Sequence, residues 1–117
     1  MDKINNDKDR DSVPVPSLYK NNFAYVLEDM AMVSEKNPAF SLGDVLLINP
    51  HVEPTNDDYI LLKMDEDATE ICRLYSVVEN KITFRPLNTN YYAIHPKNNY
   101  TIIGVVSMVL SRPKKQQ

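Results

Sequence analysis

Short apolar runs, broken every few residues by acidic, asparagine or proline positions, leave this chain almost no room for a helix. Phe23 to Leu27 is aromatic and β-branched, and Asp44-Val45-Leu46-Leu47-Ile48-Asn49 is a compact apolar run after Gly43. Tyr59 to Met64 and Thr69 to Tyr75 flank the acidic tip Asp65-Glu66-Asp67, which predicts a hairpin. Val77-Val78 and Lys81-Ile82-Thr83-Phe84-Arg85 surround a second turn at Glu79-Asn80, and Thr101 to Leu110 reads as a long final strand. At most one short helix fits, around Met30 to Lys36, before Pro38 stops it. Only two glycines occur, so Asn and Asp are expected to serve the tight turns. The fold class is mostly β.

The ends read differently. Residues 1–12 carry only Met1 and Ile4 as large apolar side chains among many charges, and Val13-Pro14-Val15-Pro16 is held extended by its prolines. Residues 1–15 are therefore expected to be a flexible tail, 16–111 one domain, and 112–117 a second frayed end. A chain of 117 residues can bury a core without staples. The net charge of −3 argues against direct nucleic-acid binding, whose surfaces are normally basic. A single cysteine, Cys72, permits no internal disulfide and suits a reducing cytoplasm. No secretory leader is legible, and Ile102 to Leu110 is too short to span a bilayer as a helix, so no membrane role is expected.

Several blocks, in order, carry a resemblance. Pro16-Ser17-Leu18-Tyr19-Lys20 and Phe23 to Asp29 lead into Met30-Ala31-Met32. Ser41 to Pro50 contains Gly43-Asp44 ahead of an apolar run that ends at Asn49-Pro50, and Asp57-Asp58-Tyr59-Ile60 opens the next strand. Pro86-Leu87-Asn88-Thr89-Asn90-Tyr91 and Ile102-Ile103-Gly104-Val105-Val106 follow. In this order and spacing the chain resembles the LexA/UmuD/phage-repressor family of self-cleaving serine peptidases, over residues 16 to about 110. The resemblance implies twisted, partly barrel-like antiparallel sheets.

The resemblance also implies a Ser nucleophile and a Lys general base, and here both are replaced. The family writes its nucleophile as Gly-x-Ser-Met, where this chain has Asp29 at the Gly and Ala31 at the Ser. The base lies in a strand that here reads Thr69-Glu70-Ile71-Cys72-Arg73-Leu74, with Cys72 at the Lys. A methyl group cannot attack a carbonyl. The Ala-Gly or Cys-Gly bond that such proteins cut in themselves is also missing, since Leu42 and Ile103 precede the glycines. The chain begins about where the family's cleaved body begins. Ala31 and Cys72 are thus degenerate catalytic positions, and Met30, Ala31, Met32, Cys72 and Arg73 are expected to line a vacant cleft able to hold an extended peptide.

Other residues offer little replacement chemistry. Ser34 with Lys36 or Lys63 reads as a loop serine beside solvated lysines, and Cys72 as a small buried thiol. His51 and His95 lack companions at ligand spacing, so no metal or cofactor is expected. The acidic tip with Glu70 reads as solvated, Tyr91-Tyr92 as core or interface packing, and Lys114-Lys115 as a solubilising end.

What the resemblance leaves is a surface. Family members dimerise through this domain, largely through its C-terminal portion. The run Thr101 to Leu110 is apolar on both faces, so Val105, Val106, Met108, Val109 and Leu110 are candidates for a homodimer interface. The function expected is a catalytically inactive dimerisation or regulatory module of a prophage-type transcriptional repressor, with a repressor carrying the same domain as partner. The alternatives are a UmuD-like accessory subunit of a translesion polymerase in the DNA-damage response, or an active self-cleaving peptidase.

Overall fold

The computed structural model describes residues 21–111. The expected tails at 1–15 and 112–117, Lys114-Lys115 and the block Pro16 to Lys20 lie outside the described residues. The strands are β1 (Phe23–Val26), β2 (Val45–Asn49), β3 (Tyr59–Met64), β4 (Glu70–Val78), β5 (Lys81–Arg85) and β6 (Tyr100–Leu110). They form one antiparallel sheet in the order β1-β2-β6-β3-β4-β5. The mostly-β expectation holds. The helix expected over Met30 to Lys36 shrinks to a single 3-10 turn, Met30–Met32, because Val33 is already extended. Thr69 to Tyr75 and Val77-Val78 merge into the unbroken β4.

The last strand occupies the middle of the sheet. β6 pairs with β2 on one side and β3 on the other. Its register skips Ile103 opposite Leu61/Leu62 and Ser107 opposite Leu47/Ile48. Such bulges sharpen local twist, which lets an 11-residue strand bend around a core. The Ser107 hydroxyl donates to the Leu47 carbonyl at 3.1 Å, so the second bulge is held by its own side chain. Gly104 lies between the two bulges, where a Cβ would stand 2.6 Å from the Asn49 carbonyl oxygen; only glycine fits so close an approach.

Both faces of the sheet are covered. Leu61 packs with Leu27, Met32, Phe40, Leu46, Ile48, Cys72 and Leu87, while its neighbours Ile60 and Leu62 pack with Phe84 and Val105. Successive strand residues point to opposite faces, so these are two cores separated by the sheet. That is why β2 and β3 read as continuous apolar runs rather than as alternation. The same geometry corrects the interface expectation for Val105, which is buried within the second core. Val106 and Val109 pack partly against the first core. Met108 and Leu110 are half-buried.

Turn chemistry follows the scarcity of glycine only in part. Asp57, Asn80 and Asn98 take positive φ, as side chains that tolerate the left-handed region should. Ala68 (φ 59°) and Glu79 (φ 53°) do so as well, without that tolerance. Gly43 (φ 88°) serves the turn into β2. Tyr91 and the 94 % exposed Tyr92 stand on the surface, so the core reading of this pair fails.

Candidate functional site

Four separated sequence blocks converge beside the 3-10 turn. Leu27 N–H donates to the Asp44 carbonyl and Gly43 N–H to the Leu27 carbonyl, both at 2.9 Å, which fixes the exit from β1. Asp44 is itself buried and accepts from Ser41 N–H at 2.8 Å, so the Gly43-Asp44 block closes its own turn. From there the chain reaches Asp29, which is extended and caps the turn. Its Oδ1 accepts from Ala31 N–H at 3.0 Å, and its backbone carbonyl accepts from Met32 N–H at 3.2 Å.

The second carboxylate oxygen of Asp29 forms an ion pair with Arg73 of β4. The same Arg73 nitrogen donates to the Cys72 carbonyl at 2.7 Å. Arg73 is buried, and its Nε has no hydrogen-bond partner among the described residues. From the opposite side Asn88 N–H donates to the Ala31 carbonyl at 2.9 Å, and Leu87 enters the core beside Met32 and Cys72. The turn is thus tied to β4 by charge and to the 86–92 loop by backbone hydrogen bonds.

The five residues expected to line a cleft do come together, but as packing. Ala31, Met32 and Cys72 have no exposed surface, and Arg73 is buried by its ion pair. Met30 alone is well exposed, and it borders a shallow depression of about 400 Å³ with Val33, Ser34, Lys36, Asn88 and Asn90. The expectation of an open groove over all five is corrected. Met32 and Cys72 complete the first core, and Ala31 is buried with them.

Electrostatics follow from that burial. Desolvation pushes the Cys72 thiol up to about 12; Asp29 adds to the shift and Arg73 opposes it. At neutral pH the sulfur is a protonated thiol, which is neither nucleophile nor base. Tyr25 is likewise raised to about 12, chiefly by burial and then by Cys72 and Asp29, and its hydroxyl donates to the Glu70 carbonyl at 3.1 Å. The Ser34 hydroxyl accepts from the backbone N–H of Lys36 at 3.2 Å, so a turn rather than an amine engages it. His51 and His95 are exposed loop residues. Among the described residues no group of three or more His, Cys, Asp or Glu is placed to hold a metal, and no helix is long and apolar enough to cross a membrane.

Sequence reasoning did not reach the Asp29–Arg73 pair or the part played by Asn88. The signal was present as an acidic residue where the resemblance sets a glycine, and a basic residue next to Cys72. Their 44-residue separation hid the contact. A family model described as Peptidase S24-like matches residues 2–107. No curated protein matches the chain.

Proposed function

The chain belongs to the S24-like peptidase family, and from that premise we propose that it is a catalytically silent member, serving as the dimerisation and regulatory module of a prophage-type transcriptional repressor. One observation carries the reading. The two positions that the sequence resemblance gives to nucleophile and base hold a fully buried methyl group, at Ala31, and a buried, protonated thiol, at Cys72. Neither can attack a carbonyl or take a proton at neutral pH. With the chemistry gone, association is the activity left to the fold. Met108 and Leu110, the interface candidates that are half-buried and that neither core claims, are the residues through which β6 would meet a second copy.

The test is direct. The protein is expected to leave an Ala-Gly peptide uncut and a serine-directed fluorophosphonate unreacted; cleavage or labelling overturns the silent reading. Sedimentation should give a dimer that Met108→Asp converts to monomer, and a monomeric parent protein overturns the dimer. Tagged protein recovered from its native lysate should bring with it a repressor carrying the same domain behind a helix-turn-helix. Recovery of a translesion polymerase instead would replace the repressor reading with that of a UmuD-like accessory subunit.

A further inference from the structure

Four backbone groups of the 3-10 turn, the Ala31 and Met32 N–H and the Met30 and Ala31 carbonyls, are spent on internal partners. Ala31 N–H goes to Asp29 Oδ1, and the Ala31 carbonyl accepts from Asn88 N–H. Met32 N–H goes to the Asp29 carbonyl, and the Met30 carbonyl accepts from Val33 N–H and from Asn88 Nδ2 at 3.4 Å. In acyl transfer by a serine nucleophile, the N–H of the nucleophile residue itself commonly helps hold the oxyanion. If position 31 is the nucleophile position, as the proposed function assumes, the N–H that would polarise a scissile carbonyl is the one already bound to a carboxylate.

We propose that the Asp29 carboxylate plugs the oxyanion hole of this fold, a third block on catalysis independent of Ala31 and Cys72. The plug is anionic, so it fills the donor and also opposes the negative charge that would develop beside it. Arg73 holds it in place from β4 by pairing with the second carboxylate oxygen. A glycine at position 29 would leave the same N–H open. Arg73 and Cys72 of β4 and Tyr25 of β1 are charged or titratable groups that interact with Asp29.

Two backgrounds separate this inference from the reading beneath it. Ala31→Ser with Cys72→Lys restores a hydroxyl and an amine at the proposed positions. Its labelling by a fluorophosphonate forms an oxygen–phosphorus bond, expels fluoride and passes the hydroxyl proton to the amine. Adding Asp29→Gly is expected to raise the labelling rate by about 100-fold, the usual worth of one oxyanion donor. Equal rates with and without Asp29→Gly overturn the plug and leave the residue assignment standing. Labelling of neither variant overturns the assignment, and the plug as an inhibitor with it. Because Asp29→Gly leaves a buried guanidinium unpaired, a parallel variant also carries Arg73→Met. A second measurement needs no label: the Ala31 amide proton resonance should move upfield on Asp29→Gly, as the N–H loses its carboxylate partner. An Ala31 amide that does not move overturns the plug whatever the labelling rates do.

Discussion

The two ends of β4 belong to one strand and obey opposite rules. At Cys72-Arg73 a charged side chain is buried, and a thiol beside it is held protonated. Six residues on, Val78 is 62 % exposed at the tip of the hairpin with β5. Residue type alone would have placed the arginine outside and the valine inside. What decides is the neighbour across the sheet. The Cys72 end packs with Met32 of the 3-10 turn and Leu87, whereas the Val78 end runs beyond its pairing with β3 and has β5 as its only strand partner among the described residues.

That contrast sets the size of four effects. Arg73→Ala leaves Asp29 beside the core without its counter-charge and is expected to cost about 3 kcal/mol in denaturant unfolding. A loss below about 1 kcal/mol would make the pair equivalent to a solvated surface bridge. Next is alkaline pH. The Cys72 thiol goes from its ordinary 9.0 to about 12 on folding, and Tyr25 from 10.0 to about 12. Over that window the unfolded chain loses these protons first, so stability present below pH 9 should fall as pH rises towards 12. Cys72→Ala should flatten part of that fall in a pH series of thermal melts, and an unchanged slope would assign it to other groups. A smaller effect of opposite sign is expected at the β3–β4 hairpin. Ala68→Gly removes a Cβ from the left-handed region and should raise stability by about 1 kcal/mol. Least of all, Val78→Thr at the exposed end should stay within about 0.5 kcal/mol. A larger cost there would mean that the tip is covered in solution by something other than this chain.

The sequence specified local structure far better than its arrangement. Tyr59–Met64 and Lys81–Arg85 lie where a short apolar run, an apolar alternation and the flanking turn residues put them, because those signals act over a few residues. The place of β6 was not legible, since nothing within Thr101 to Leu110 says that its neighbours are β2 and β3. Its apolarity on both faces suggested a partner protein, and in Val105 that signal reported a second core on the far side of the sheet. At the site, the resemblance set Ala31 against a Ser and Cys72 against a Lys one position at a time. The pairing of Asp29 with Arg73 was not legible, because charge complementarity carries no record of which distant residue it will meet. The cleft failed for a related reason. A Met-Ala-Met run beside a Cys is as good a core segment as a cleft wall, and the buried turn shows which it became.

The central position of β6 also sets a schedule. A ribosome delivers β1 and β2, then the β3–β4–β5 meander, and until β6 follows these two parts have no strand between them. Each presents an unpaired apolar edge, at β2 and at β3, until the last strand has emerged and slots in from Tyr100 to Leu110. A nascent chain is therefore most exposed to misassembly just before β6 emerges, and protease resistance of stalled chains should rise only once Leu110 has cleared the exit tunnel.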